Sequence, residues 1–189
     1  MRRDFTHPRG EVHRLVHKSD VLQGNPLGDP ATRDLLVWTP PNWKPAESLP
    51  ILVDLKGYMS SALAHANWNP TAENVPERLD RLTHEGMPRV VVVFPDCFTK
   101  LFGNQYLNSA GSGRYADYVC DEIVPFVEQK FNCGGKGRRG VFGKSSGGYG
   151  VAWHGLHRAD VCDDSSINSV DMGYDALYIV SLMNDLALL

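Results

Sequence analysis

The sequence predicts an α/β fold with a mostly parallel central sheet and helices on both faces. Three observations predict it. Two compact apolar runs, Leu49–Leu55 and Val90–Phe94, have the length and composition of buried strands, and the second is almost purely β-branched. Between them lies a helix-like stretch, Glu73–Leu82, long enough to cross from one parallel strand to the next. The same rhythm of apolar run, loop and helical stripe returns in the second half of the chain, and repeated crossovers of this kind build parallel sheets.

Taken in order, Thr32–Thr39 alternates partly like a strand and is stopped by Pro40-Pro41. Leu49–Leu55 and Val90–Val93 with Phe94 are expected at the centre of the sheet, joined by the crossover helix over Glu73–Leu82. From Gly113 to Phe131, apolar residues recur at Tyr115, Tyr118, Val119, Ile123, Phe126, Val127 and Phe131, a helical stripe interrupted by Pro125. Arg139–Phe142 is a short strand running into a glycine-rich turn, and Tyr149–Arg158 is the helix leaving it. With 189 residues the chain is read as a single domain over residues 1–189, enough to bury roughly 70% of its unfolded surface. Ligands of such sheets bind at the carboxyl ends of the strands.

Composition excludes several function classes. The net charge of −3 and the scattered lysines and arginines give no footprint for nucleic acid. The basic N-terminus lacks an apolar segment behind it, and no stretch approaches the roughly 20 apolar residues of a membrane span. A cytoplasmic protein with no membrane partner is expected. Cys97, Cys120, Cys133 and Cys162 show no C-x-x-C spacing, so free thiols in a reducing compartment are expected, with no metal site and no cofactor.

The turn itself, Gly140–Gly150, admits two readings. Gly143-Lys144-Ser145 spells the end of a phosphate-binding loop, but that motif needs a glycine where Arg138 stands, and a strand-like segment occupies the place of the loop. The other reading is a nucleophile elbow, Gly143-Lys144-Ser145-Ser146-Gly147, in which small residues flank a serine on a tight strand-to-helix turn. The glycine register selects Ser145, because Ser146 would need glycine at Lys144.

With that turn, the chain resembles the esterase branch of the α/β-hydrolases, which includes S-formylglutathione hydrolases, enterochelin-esterase-like enzymes and feruloyl esterases. The resemblance runs from about residue 32 to 174. It is carried by Leu55-Lys56-Gly57, Phe94-Pro95-Asp96, Tyr106–Ser109, Tyr115–Tyr118 with Glu122–Pro125, and Gly143–Gly150. It implies an α/β-hydrolase fold and hydrolysis of small or medium acyl esters through an acyl-enzyme on Ser145. The oxyanion hole would be formed by the backbone N–H of Ser146 and of the Gly57-Tyr58 turn, where relatives carry His-Gly and this chain has Lys56-Gly57. Relatives continue further, with their acid and histidine in the later part, so the C-terminal region is expected to be truncated or rebuilt. Cys162–Asn168 is polar where the family has an apolar strand.

The serine needs a base. His154 and His157 lie on the helix leaving the elbow, about 13 and 18 Å along its axis from Ser145, and are expected to be packing or surface residues. His7, His13, His17 and His84 belong to segments remote from the turn. His65 follows Gly57 on the loop leaving a strand's carboxyl end, which makes it the candidate base, and Asp171 is the candidate acid. Lys144 is expected to point away from Ser145, and Cys97 to be a packed thiol. The rival reading is a weak or inactive hydrolase scaffold with a binding or assembly role. An apolar tail, Ala176–Met183 and Leu186–Leu189, raises the expectation of a homodimer or larger homo-oligomer.

Overall fold

The structure, a computed structural model, describes residues 6–173. A six-stranded sheet runs through it in the order β1-β2-β4-β3-β7-β8. The strands are β1 (Glu11–Lys18), β2 (Thr32–Thr39), β3 (Ile51–Leu55), β4 (Val91–Pro95), β7 (Arg139–Ser145) and β8 (Asp164–Val170), while β5 (Asn108–Ser109) and β6 (Gly113–Arg114) form a separate small ladder. The pairs β4–β3, β3–β7 and β7–β8 are parallel, and β2 is antiparallel to both β1 and β4. The two apolar runs are therefore central strands. The alternating Glu11–Lys18 segment, not expected as a strand, zips onto β2 over its whole length and gives the sheet an antiparallel margin.

Strand side chains alternate between faces, and two cores result. Leu35, Val37, Val91 and Val93 enter one with Tyr115, Tyr118, Ile123 and Val127. Trp38, Val92 and Phe94 enter the other with Leu79. The second face is covered by α1 (Val75–His84). Its start is set by Asn74, whose side chain accepts from Glu77 N while the Glu77 carboxylate accepts from Asn74 N, with Pro76 in the first turn. The first face carries α2 (Tyr115–Asp117) and α3 (Val124–Phe131), joined by a π-helical segment, Tyr118–Ile123. The single stripe expected over Gly113–Phe131 is thus one helix with a wide turn just before Pro125, whose ring nitrogen has no hydrogen to donate.

The elbow helix α4 (Ser146–His157) begins three residues earlier than its apolar pattern suggests, because Gly147 and Gly148 hide the helical period. It packs against β7, β3 and β8. Beyond it the polar segment that departs from the family pattern is nevertheless a strand: β8 pairs with β7 from Gly140↔Asp164 to Ser145↔Val170. Its residues are exposed nearly throughout, as an Asp-Ser-Ser-Ile-Asn-Ser composition allows for an outer strand. The apolar tail on which the expected oligomer rests lies outside the described residues. Among the described residues, no helix is long and apolar enough to cross a membrane.

Candidate active site

β7 delivers Ser145 to the carboxyl edge of the sheet, and the chain turns there into α4. Ser145 has φ 59° and ψ −126°, a conformation that strains any residue with a Cβ. The flanking glycines explain how the turn closes. A Cβ on Gly147 would lie 1.8 Å from the Leu55 carbonyl oxygen, and one on Gly143 would lie 2.6 Å from the Gly147 carbonyl. The sharp turn brings α4 against the end of β3. Ser145 thereby stands beside Gly57, where a Cβ would sit 3.5 Å from the serine Cβ and 4.0 Å from its Oγ.

Ser145 Oγ donates to Asp171, whose carboxylate oxygens lie at 2.9 and 3.2 Å. Asp171 follows β8 directly, so the pairing of that outer strand with β7 is what carries the carboxylate to the serine. Ser146 Oγ also donates to Asp171, at 3.1 Å, and accepts from Gln105 Nε2 at 3.3 Å. His65 sits on a 3-10 turn, Ala62–Ala66, and its Nδ1 is hydrogen-bonded to the buried carboxylate of Asp54. Since an ionised carboxylate only accepts, Nδ1 carries the hydrogen, and the neutral form of the ring holds its lone pair on Nε2. The ring meets Phe94 edge-on.

Ser145, Gly57, His65 and Asp54 line one cavity of about 680 Å³, a size ordinary for small-molecule sites. Val75, Leu79 and Leu82 of α1 and Phe142 of β7 supply an apolar wall. Lys56, Arg78 and Lys144 bring cationic groups to its rim. Burial pushes the Lys56 ammonium below its ordinary value, with Asp54 opposing and Lys144 adding to the shift. Tyr58 lies apart from this cavity and lines a smaller one with Leu101 and Gln105, its backbone pressed against Gly103.

Of the residues singled out in the sequence, Ser145, Ser146, Gly57, His65 and Asp171 all reach this edge of the sheet. Asp171 contacts the serine rather than the histidine. The carboxylate on His65 is Asp54, which the reading missed. Its signal was a lone charge inside the apolar run Ile51-Leu-Val-Asp-Leu55. Gln105 and Tyr106 were missed as well. The Tyr106 hydroxyl donates to the Lys56 carbonyl at 2.6 Å and so braces the turn that carries Gly57. Cys97 is buried and its thiol is pushed up by that burial, as a packed thiol should be. Lys144 is exposed, His157 stacks on Trp153, and His154 is fully buried.

A mostly parallel sheet with a strand that ends in a strained serine elbow, followed by a helix packed on that strand and its neighbours, defines an α/β-hydrolase fold. The chain belongs to the family described as "Putative esterase", whose model matches residues 30–169. The fold recurs in a ferulic acid esterase from Anaeromyces mucronatus, at 16% identity and a TM-score of 0.69, covering 92% of this chain and 62% of the other. A fluorophosphonate-binding serine hydrolase from Staphylococcus aureus aligns at 20% identity and 0.65, covering 89% and 60%. An S-formylglutathione hydrolase from Agrobacterium tumefaciens aligns at 21% and 0.62, covering 88% and 59%. The chain thus spans about three fifths of the length of these structures. No curated protein matches its sequence.

Proposed function

We propose that the protein is a serine carboxylesterase acting on small or medium acyl esters through an acyl-enzyme. One observation carries this reading: Ser145 is held in a strained elbow at the mouth of a part-apolar cavity that the His65–Asp54 pair shares. Ser145 Oγ is the nucleophile. Its proton passes to His65 Nε2 as the oxygen attacks the ester carbonyl, and Asp54 holds the ring by Nδ1 and stabilises its charged form. The growing oxyanion is met by the Ser146 N–H, at the positive end of α4, and by the backbone at Gly57, an arrangement worth several kcal/mol in such sites. His65 then protonates the leaving alcohol, and water repeats the sequence to release the acid. In the free protein the Ser145 hydroxyl is parked on Asp171 and must rotate to reach the base. Catalytic hydrogen bonds commonly tighten only when substrate is bound.

Hydrolysis of chromogenic acetate and butyrate esters tests the reading, with alkaline hydrolysis by buffer subtracted. Loss of the base is expected to lower kcat about 10²-fold or more in His65→Ala, with unchanged circular dichroism and little change in KM. Asp54→Asn is expected to fall in the same direction, because the ring loses its orienting partner. Asp171→Asn should stay within about tenfold of wild type. A larger loss in Asp171→Asn than in His65→Ala would transfer the base to Asp171, and no turnover at all by the wild-type chain would reject the esterase reading.

A further inference from the structure

Away from the edge that carries Ser145, three side chains from three different segments converge. Cys120 lies on the π-helical segment, His154 on α4, and Cys162 on the loop into β8. Cys120 Sγ, Cys162 Sγ and a ring nitrogen of His154 all lie within 4.8 Å of one another. His154 Nε2 is 2.7 Å from the Tyr106 carbonyl oxygen, and Nδ1 is 3.2 Å from Cys120 Sγ. A carbonyl only accepts, so Nε2 carries the hydrogen, and the neutral form of the ring holds its lone pair on Nδ1, which faces Cys120 Sγ. Metal-binding histidines are oriented by this kind of second hydrogen bond.

We propose that Cys120, His154 and Cys162 form a metal site for Zn²⁺, with water in the fourth position. A tetrahedral zinc with Zn–S near 2.3 Å and Zn–N near 2.0 Å sets its ligand atoms about 3.5–3.8 Å apart. The cluster reaches that spacing with small side-chain adjustments. Two thiolates with a neutral imidazole balance the charge of the ion, each thiol releasing its proton to solvent as it binds. Thiolates and imidazole prefer this ion over Mg²⁺ or Ca²⁺. The nearby acids Asp121 and Asp160 are engaged by Arg158. His154 and Cys120 are buried while Cys162 is part-exposed, which gives ion and water a way in. The Cys162 backbone is already placed, its N–H donating to the Arg158 carbonyl at 2.8 Å. The site ties α4 and the π-helical segment to the loop before β8, the outer strand that leads to Asp171. It lies about 13 Å along α4 from Ser145 and acts on stability rather than on the chemistry.

The test uses the full chain, reduced and stripped of metal with a chelator, and titrated with Co²⁺ as a coloured substitute. One equivalent is expected to give thiolate-to-cobalt charge-transfer absorption with the visible bands of a tetrahedral ion, and Zn²⁺ should displace it. Zn²⁺ should also raise the melting temperature of wild type and of Cys133→Ser but not of Cys162→Ser, which should lack the absorption. Absence of the bands in folded, reduced protein, or their persistence in Cys162→Ser, would overturn the proposal. Should Cys162→Ser fail to fold, alkylation of Cys162 in wild type decides instead. Zn²⁺ is expected to slow it at least tenfold, and an equal rate with and without Zn²⁺ rejects the site.

Discussion

Ser145→Ala is expected to abolish labelling by an organophosphonate probe and to lower kcat for a chromogenic butyrate ester by at least about 10³-fold. Ser146→Ala is expected to keep most of both. The two serines are adjacent and both donate to Asp171, so hydrogen bonding alone does not distinguish them. Backbone geometry does. Ser145 occupies the strained position of the turn, with φ 59°, whereas Ser146 is the first residue of α4 and fully buried. Mass spectrometry of the labelled peptide, with circular dichroism as the folding control, checks the assignment. Equal labelling of Ser145→Ala would remove Ser145 from the nucleophile role.

The second large effect is on stability. Gly147→Ala is expected to cost ~3 kcal/mol or more, a large share of a typical domain's margin. The added methyl would lie 1.8 Å from the Leu55 carbonyl oxygen, a backbone atom held in the centre of the sheet that cannot step aside. The cost is steric, since Gly147 is helical and its φ suits any residue. Gly86→Ala is the contrasting case. There φ is +102° with nothing within 4 Å of the added carbon, so only backbone strain applies, about 1–2 kcal/mol. Urea midpoints at unchanged slope separate the two. A Gly147→Ala protein as stable as Gly86→Ala would show that α4 does not press on β3 as tightly as the elbow requires.

The strands and the elbow turn were legible in the chain because their signals are local. An almost unbroken β-branched run cannot hide its face in water, so Val90–Phe94 had to be central. Glycines at two fixed offsets permit a close approach that selects Ser145 and not Ser146. Glu11–Lys18 was harder, because its alternation reads as a strand only once β2 is there to pair with it. α4 began earlier than its pattern because glycine has no side chain to mark a helical face.

The sequence by itself determined the fold class, the central strands and the turn that holds Ser145, all consequences of neighbouring residues and of the period of the side chains. Tertiary structure decided the partners. Asp54 meets His65 because β3 ends beside the 3-10 turn. Asp171 meets Ser145 because β8 pairs with β7, with a register shift between Lys144 and Ser145, and Cys120 meets His154 and Cys162 because the His154 side chain of α4 reaches the π-helical segment and the loop before β8. Each of these contacts depends on the order of strands and the packing of helices, which bring together groups from separate elements whose spacing along the chain carries no trace of the meeting.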